Sequence, residues 1–455
     1  AIRIVSALPV PINWHLRGEE VEYIIKDSGA KALVIHSDLY DELKDHVPEG
    51  VHVIEVETPE ILIESYGIDR DQCPVHAESK NWYPWLAEQE PWTDDPVAQT
   101  ASMIYTSGTT GRPKGVRREA STPEQYEKQV MVVAEVFGLV PGSRTIIPAP
   151  LYHAAPNGYA IFALQLEAFI VIMPRFDAEE FLRLIQDYKI TRIQMVPTMF
   201  VRLLKMPCEI CEKYDLSSLE YIIHAAAPCP PQVKKDMIEW WGPIIWEYYG
   251  STEMSAVTIC SPEGALKYPG TVGTVIEEAT VKILDDNGKE VAANEIGEVY
   301  GMLHTNSEFT YQNDDDKRRG IDIDGLITCG DIGYMNEEGY LFLCDRASNM
   351  IISGGANIYP AEIESVLIEM DGLHDCAVFG IPCDDFGEKV AAIIEPEAEV
   401  ELTAEAVTAF LTDRIAGYKL PRHIEFRNDL PREDSGKLFK RLLKEPFWKE
   451  SGRSI

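Results

Sequence analysis

The sequence is poor in positive charge. Lys and Arg total 41 against 75 Asp and Glu, which gives a formal net charge of −34 over 455 residues. Nucleic acids and anionic membranes repel so acidic a surface, and we therefore expect neither as a partner. Any site that binds an anion must gather its positive charge locally, from a few side chains.

Long apolar runs and a cysteine framework are also missing. No apolar run reaches the ~18 residues that a membrane-spanning helix needs. The nine cysteines are scattered, and Cys208 and Cys211 form a CxxC pair with no second Cys or His pair at zinc-like spacing. We expect reduced thiols and a cytoplasmic location. Because the chain starts at Ala1 rather than Met, we expect an N-terminal part that is trimmed or unobserved.

What the sequence does contain is a regular alternation of apolar strand patterns and amphipathic helix patterns. This order predicts an α/β fold with a parallel or mixed sheet flanked by helices, in a large N-terminal domain of several subdomains. The strand patterns are "EAFIVIMP" (167–174), "TRIQMVP" (191–197), "LEYIIHAAAP" (219–228) and "IIWEYYGSTE" (244–253), with helices expected after Asp177 and over 231–240. Ligands bind beyond the carboxyl ends of such strands, where three polar or small-residue loops lie at 106–114, 225–228 and 250–253.

The part of the chain after residue 278 has a different pattern. Two short strands are expected around the turn at Asn287-Gly288, and "DDDKRR" (314–319) is expected to be a solvated loop. We place the domain boundary after residue 345. The prediction is a domain over 1–345 and a small α+β lid domain over 346–455, in which Pro360 opens a helix and short strands alternate with one helix over 403–415.

One loop combines small hydroxyl residues, glycines and a lysine. The segment "IYTSGTTGRPKG" (104–115) lacks the GxxxxGK[ST] spacing of a Walker A loop, because Pro113 precedes Lys114 and Gly115 follows it. Its composition nevertheless suits a phosphate, since glycines admit an anion to the backbone, hydroxyls donate hydrogen bonds and Lys supplies charge. A flexible surface turn is the alternative reading.

Five segments together resemble the motifs of the adenylate-forming superfamily, which includes acyl-CoA synthetases, luciferases and peptide-synthetase adenylation domains. They are, in the order of the chain, the loop just described, "YYGSTE" (248–253), "TCGD" (328–331), "DRASNMIISGGANIYPAEIE" (345–364) and "PREDSGKLFKR" (431–441). The resemblance covers nearly the whole chain. The strands and helices that usually precede "PVPIN" (9–13) in the family are absent from the sequence given.

The resemblance implies two half-reactions. A carboxylate attacks the α-phosphate of ATP and releases pyrophosphate, and a thiol then displaces AMP from the acyl-adenylate. The first step gathers anions, so positioning and electrostatic stabilisation dominate it. ATP, Mg²⁺ and coenzyme A are the implied cofactors, and a small-molecule carboxylic acid is the implied substrate.

The family's site residues carry over by motif. Tyr249 is implied to lie against adenine, Thr252 to reach the α-phosphate, Glu253 to bind Mg²⁺ and act in catalysis, and Asp331 to accept the ribose hydroxyls. Arg346 is implied to lie near the ribose and phosphate. The remaining nucleotide-binding residues are Thr106, Ser107, Gly108, Thr109, Thr110 and Lys114 for the outer phosphates, and Ala226, Ala227, Pro228, Tyr248 and Gly250 around the adenine.

The remaining implied roles concern the acid and the second step. His153 in "PLYHAAP" stands where the family often has an aromatic or histidine beside the carboxylate, although a structural histidine is a rival reading. The segment 196–204 is implied to form one wall of the acyl pocket, and core packing explains it equally well. Lys437 is implied to act in adenylation. The resemblance also implies a rotation about the hinge at 345–348, which would replace Lys437 with the loop of Gly354 and Gly355 for CoA. At this hinge Ser348 stands where the family usually has Asp or Lys.

The sequence therefore predicts an AMP-forming acid–thiol ligase. The residues of the motifs resemble those of acyl-CoA synthetases for fatty, aromatic or steroid-type acids more than those of peptide-synthetase domains. A stand-alone ligase that loads an acyl carrier protein is the alternative, and a non-catalytic nucleotide-binding regulator is a remote one. The sequence leaves the acid and the oligomeric state open.

Overall fold

A computed structural model describes residues 7–77, 79–94, 101–106, 113–432 and 438–451. The strands in this part of the chain are β1 Ala32–His36, β2 His52–Val56, β3 Lys80–Asn81, β4 Ile104–Thr106, β5 Lys114–Arg118, β6 Arg144–Ile147, β7 Phe169–Ile172, β8 Arg192–Met195, β9 Tyr221–His224, β10 Ile245–Ser251, β11 Ser255–Cys260, β12 Thr271–Val275, β13 Ala279–Leu284, β14 Gly297–Leu303, β15 Phe309–Tyr311, β16 Asp322–Ile323, β17 Leu326–Met335, β18 Tyr340–Arg346, β19 Ile351–Ser353, β20 Ala356–Ile358, β21 Leu373–Cys383, β22 Gly387–Pro396 and β23 His423–Phe426.

The α-helices of the same residues are α1 Gly18–Ser28, α2 Ser37–Leu43, α3 Glu60–Tyr66, α4 Trp82–Ala87, α5 Pro123–Phe137, α6 Ala154–Gln165, α7 Ala178–Tyr188, α8 Pro197–Leu204, α9 Cys208–Cys211, α10 Pro231–Trp241, α11 Pro262–Lys267, α12 Asp315–Gly320, α13 Pro360–Leu367, α14 Ala404–Thr412 and α15 Lys440–Glu450. None of the helices described is long and apolar enough to cross a membrane.

The chain divides into two compact units, Ala1–Asp177 with His304–Asp322, and Ala178–Leu303 with Ile323–Ile455. In the first unit, β1, β2 and β3 form a parallel sheet, and β6 pairs in parallel with β7. A separate antiparallel sheet has the order β15-β5-β4. It places Thr106, at the end of β4, directly opposite Lys114, at the start of β5.

The second unit contains a mixed sheet in which β8, β9 and β10 run parallel. The sheet continues from β10 through β11, β12, β18, β17 and β14 to β13 in antiparallel pairs. The parallel strands are apolar runs because both of their faces are buried. Fully buried side chains on them include Ile193, Met195, Ile222, Ile223 and Ile245.

Further along this unit, the C-terminal residues form a sheet of order β20-β19-β22-β21, with β23 parallel to β22. Alternate residues of the long β21–β22 hairpin point to opposite faces, and both faces are covered. Val378 and Val390 pack with α13 and α14 on one face, whereas Phe379 and Ala391 pack with Leu443 of α15 on the other. The predicted α/β fold, with a large N-terminal and a smaller C-terminal domain, is thereby confirmed.

The predicted strands and helices between residues 167 and 253 are confirmed as β7 to β10, α7 and α10. Of the two strands expected around Asn287-Gly288, the first is confirmed as β13. The expected second strand and the expected loop at 314–319 were wrong, and one helix was missed. After Asn287-Gly288 the chain makes only an isolated bridge at Glu290, because the turn leads into a loop before β14. The charge run 314–319 forms α12, since Asp314 accepts a hydrogen bond from the backbone N–H of Lys317 and caps the helix. Helix α15 was not predicted, and Pro446 in its interior argues against a helix by propensity.

Candidate active site

Three residues predicted to bind the nucleoside meet in the second unit. The Tyr249 hydroxyl donates to Asp331 Oδ2 at 2.8 Å, and Arg346 Nε donates to Asp331 Oδ1 at 3.2 Å. Strand pairing brings them together, because Asp331 on β17 lies opposite Arg346 at the end of β18. Tyr249 reaches the same carboxylate from β10. The carboxylate is thus held by one neutral donor and one cation.

Electrostatics fix the protonation of two members of this group. Burial and the adjacent Asp331 carboxylate raise the pKa of Tyr249 well above its usual value, so its hydroxyl remains a neutral donor. Burial lowers the pKa of Arg346, but the charge of Asp331, the hydrogen bond to it and the nearby Cys329 and Tyr249 together outweigh this effect, and the net pKa is raised. An ionised carboxylate has about four lone-pair sites, so Asp331 keeps acceptor capacity for a diol after both of these bonds are made.

The turn after β10 presents Thr252 and Glu253. Ser251 Oγ accepts from the backbone N–H groups of Glu253 at 3.1 Å and Met254 at 3.0 Å, which fixes this turn. The Cys329 thiol lies 3.1 Å from Ser251 Oγ and 3.6 Å from Glu253 Oε2. Burial and then the Glu253 charge raise the pKa of Cys329, so it is a protonated donor.

Ser251 and Cys329 were not predicted as site residues. The sequence offered a weak signal, because both lie inside the motifs at 248–253 and 328–331, where they occupy positions between the residues with assigned roles. Their contacts depend on the register of strands far apart in the chain. They support the Glu253 carboxylate rather than replacing any predicted residue.

The Glu253 side chain is suited to a hard cation. Glu253 is only 7% exposed, and its carboxylate offers oxygen ligands. Within the described ranges, no cluster of three or more His, Cys, Asp or Glu side chains could hold a metal ion by itself. Mg²⁺ is commonly bound by one or two carboxylates together with substrate phosphates, so a single carboxylate fits this ion.

The predicted adenine loop follows β9. Ala225 is buried, whereas Ala226, Ala227 and Pro228 are exposed. Ala226 has φ of +76°, an unusual left-handed conformation for a residue with a Cβ. The loop therefore turns sharply out of the sheet and leaves its backbone accessible. Tyr248, on the neighbouring β10, has a pKa raised by burial and is also a neutral donor.

The predicted phosphate loop belongs to the first unit. Its two ends, Thr106 and Lys114, are paired across β4 and β5, and Ser107, Gly108, Thr109 and Thr110 lie outside the described residues. Lys114 Nζ lies 3.2 Å from Asp314 Oδ2 and 5.6 Å from the centre of the Tyr311 ring. The sequence did not predict that Lys114 would have a carboxylate partner.

The residues predicted for the acid and the second step are placed as follows. His153 precedes α6, and its ring centre lies 4.6 Å from that of Tyr152. Gly354 and Gly355 form the exposed turn between β19 and β20, with φ of +57° and +83°. Lys437 lies outside the described residues. The individual roles of all these residues remain predictions.

Comparison with known proteins adds a family to this geometry. A family model described as "AMP-binding enzyme" matches residues 1–302, and one described as "AMP-binding enzyme C-terminal domain" matches residues 362–437. The first alone spans more than half of the chain. The chain therefore belongs to the AMP-binding enzyme family, and the resemblance to the adenylate-forming superfamily is confirmed.

Several curated proteins are similar to almost the whole chain. The long-chain-fatty-acid–CoA ligase FadD13 of Mycobacterium tuberculosis is 29% identical over 445 residues, which cover 97% of this chain and 84% of the relative. The fatty acid–[acyl-carrier-protein] ligase ScoC of Streptomyces coeruleorubidus is 29% identical, with 98% and 83% covered. A 3-[(3aS,4S,7aS)-7a-methyl-1,5-dioxo-octahydro-1H-inden-4-yl]propanoyl:CoA ligase of Rhodococcus jostii is 31% identical, with 98% and 85% covered.

Solved structures match at similar coverage. The anthranilate CoA ligase AuaEII in complex with anthranoyl-AMP gives a TM-score of 0.83 at 26% identity, covering 98% of this chain and 84% of the other. ATP-bound MatB from Rhodopseudomonas palustris gives 0.79 at 26% identity, with the same coverage. The protein is an enzyme of the acid–thiol ligase class, as its sequence predicted.

Proposed function

We propose that the protein joins an apolar carboxylic acid to coenzyme A, with an acyl-adenylate as the intermediate and AMP and pyrophosphate as products. The arrangement of Tyr249, Asp331 and Arg346 is the single observation that supports the proposal most, because it presents an aromatic ring, a carboxylate and a cation together. That set suits a nucleoside monophosphate unit. The acids named for the relatives are a long-chain fatty acid and a fused-ring propanoic acid, which supports an apolar acid here.

In the proposed first step, the protein positions two anions and balances the charge that develops. Asp331 accepts the ribose hydroxyls, Tyr249 lies against the base, and Thr252 donates to the α-phosphate. Lys114 and the hydroxyls of its loop hold the outer phosphates. Glu253 would hold Mg²⁺, which would supply charge neutralisation at the phosphates when bound.

In the proposed second step, the C-terminal part of the chain changes position about residues 345–348. Lys437 serves adenylation before this change, and the turn of Gly354 and Gly355 takes its place beside the thiol afterwards. The two glycines have positive φ, so the turn itself also requires them. Because Lys437 acts in the first step of this scheme, Lys437→Ala should slow adenylation by about 10²–10³-fold, the scale of one lost transition-state donor. Thioester formation from supplied acyl-adenylate should stay near the wild-type rate.

The decisive experiment incubates the protein with ATP, Mg²⁺, coenzyme A and a panel of fatty, aromatic and steroid-type acids. Mass spectrometry identifies the thioester, and nucleotide analysis identifies AMP. Formation of ADP instead of AMP, or binding of ATP with no thioester from any acid, would contradict the proposal. The second outcome would favour the nucleotide-binding regulator.

A carrier protein is the second candidate acceptor. The similarity to ScoC, whose name specifies an acyl carrier protein, favours this alternative. Parallel assays with equal concentrations of coenzyme A and of a phosphopantetheinylated carrier protein separate the two acceptors, because the preferred acceptor gives the higher kcat/KM.

We also propose a cytoplasmic location. All nine cysteines are free thiols, which supports it.

A further inference from the structure

The charge run 314–319 places one carboxylate against the lysine of the phosphate loop. Asp314 follows β15, which pairs with β5, and Lys114 is the first residue of β5. The backbone around Asp314 is held in place, because the side-chain amides of Gln312 and Asn313 both donate to the carbonyl of Asp27 at 3.1 Å. Asp314 therefore occupies a defined position rather than a mobile tail.

The two carboxylate oxygens of Asp314 contact different groups. Oδ1 accepts from the backbone N–H of Lys317 at 3.2 Å and caps α12, while Oδ2 lies 3.2 Å from Lys114 Nζ. The Lys114 ammonium lies near the face of the buried Tyr311 ring. Hydrogen bonds to Lys114 and Lys317 lower the pKa of Asp314, which keeps it charged. The cap thus holds the carboxylate facing Lys114.

The pair is weak enough to exchange. The Lys114 side chain is 20% exposed and that of Asp314 is 40% exposed, and ion pairs this accessible to water contribute little net free energy. A phosphate group offers several acceptor oxygens and more negative charge than one carboxylate. Lys114 can therefore leave Asp314 for a polyphosphate without a large cost.

We propose that Asp314 is the exchangeable counter-ion of Lys114, which it releases to the outer phosphates of ATP and recovers when pyrophosphate leaves. This inference rests on the proposed role of Lys114 in phosphate binding. Asp314 is then a positioning residue that opposes tight binding of polyphosphate. In an enzyme that must discharge pyrophosphate in each turnover, such opposition favours product release.

The test is Asp314→Asn, which removes the charge but keeps a residue that caps a helix equally well. We expect the Kd of ATP and the inhibition constant of pyrophosphate to fall together, by about three- to fivefold, the range of an exposed ion pair. The KM for ATP should fall while kcat does not rise. A merely structural role would not tighten the binding of both polyphosphates.

Asp316→Asn is the matched control, because Asp316 lies on the same short helix and pairs with Arg319 instead. It should leave both constants unchanged. An equal effect of Asp316→Asn would show a general charge effect and overturn the inference, as would unchanged or weaker polyphosphate binding in Asp314→Asn.

The double variant Lys114→Ala/Asp314→Asn separates this inference from the proposed function. If Lys114→Ala weakens ATP binding, the added Asp314→Asn change should have no further effect, and a persisting effect would overturn the pairing. If Lys114→Ala alone leaves ATP affinity unchanged, the phosphate-binding role of Lys114 fails, and the inference fails with it.

Discussion

At the scale of single residues, Asp331 is the side chain that connects the other members of the candidate nucleotide site. Its two oxygens accept from Tyr249 and Arg346, and it keeps lone pairs for the two ribose hydroxyls. Charge-assisted hydrogen bonds contribute about 1.5–3 kcal/mol each. Asp331→Ala should therefore weaken ATP binding tenfold or more, as measured by titration calorimetry.

Tyr249→Phe is the matched control for this prediction. It keeps the aromatic ring and removes only the hydroxyl that donates to Asp331, so the loss of ATP affinity should be smaller than for Asp331→Ala. Unchanged ATP affinity in a folded Asp331→Ala variant would remove Asp331 from the site.

The identity of these residues could be predicted from the sequence, but their contacts could not. The resemblance to the adenylate-forming superfamily implied Tyr249, Asp331 and Arg346, because they stand at the matching positions of its motifs. The bond between Tyr249 and Asp331 joins residues 82 positions apart, and it depends on the order of strands in the sheet. For the same reason the contacts of Cys329 and Asp314 were not predicted.

At the scale of elements, the close approach of β10 and β11 requires Gly250. The pairing register shifts after Tyr249, and a Cβ on Gly250 would lie 1.9 Å from the carbonyl oxygen of Ser255. Gly250→Ala should therefore force the two strands apart, destabilise the fold by at least about 1–3 kcal/mol, and weaken ATP binding. Thermal unfolding and calorimetry measure the two effects.

Gly158→Ala provides the contrast for Gly250→Ala. A Cβ at Gly158, within α6, would meet no atom within 4 Å, so this change should stabilise the protein by about 0.5–1 kcal/mol, the usual gain in a helix. If Gly250→Ala were as well tolerated as Gly158→Ala, the steric argument for Gly250 would be wrong.

Helix α10 is tied to β10 by a buried ion pair between Lys234 and Glu247. Both residues are nearly inaccessible, at 6% and 5% exposure. Burial lowers the pKa of Lys234, but the charge of Glu247, the hydrogen bond to it and the nearby Cys229 and Cys260 together raise that pKa, whereas burial raises the pKa of Glu247. Lys234→Met leaves a buried carboxylate without its partner. It should destabilise the fold by about 3–5 kcal/mol, measured as a lower unfolding midpoint in urea.

The double variant Lys234→Met/Glu247→Leu tests the cause of that loss. Replacing both charges with apolar groups removes the unpaired carboxylate, so most of the lost stability should return. A double variant as unstable as Lys234→Met would show that packing of the lysine stem, rather than its charge, stabilises this contact.

The sequence predicted elements best where packing is regular. Helix α7 has an apolar face that is clear in the sequence, and Phe181, Leu184 and Ile185 are buried as that face requires. Helices α12 and α15 were missed for specific reasons. A capping aspartate orders a charge run that resembles a loop, and burial of Leu443 stabilises a helix despite Pro446.

At the scale of the whole molecule, the excess of acidic over basic residues gives cations many possible carboxylate partners. The net charge is −34, and the lysines to which we assign a role, Lys114 and Lys205, each lie close to a carboxylate. Lys205, which follows α8, is such a case. Its Nζ donates to the carbonyls of Leu373 and His374 at 3.1 Å and lies 3.5 Å from Glu397 Oε1. These partners all come from the region predicted to move about residues 345–348.

If the C-terminal region rotates as proposed, these contacts are made in one of its two positions and are lost in the other. The Lys205 side chain is 32% exposed, so its charge-assisted hydrogen bonds are weakened by water to about 1 kcal/mol each. Lys205→Met should therefore shift the balance between the two positions by roughly three- to thirtyfold. One half-reaction should become faster and the other slower. Pyrophosphate exchange measures adenylation, and thioester formation from supplied acyl-adenylate measures the second step.

Lys213→Met is the control. It removes an exposed lysine that pairs with Glu179, away from this region, and should leave the ratio of the two half-reaction rates unchanged. If Lys205→Met changed both half-reactions in the same direction, Lys205 would stabilise the fold without influencing the alternation.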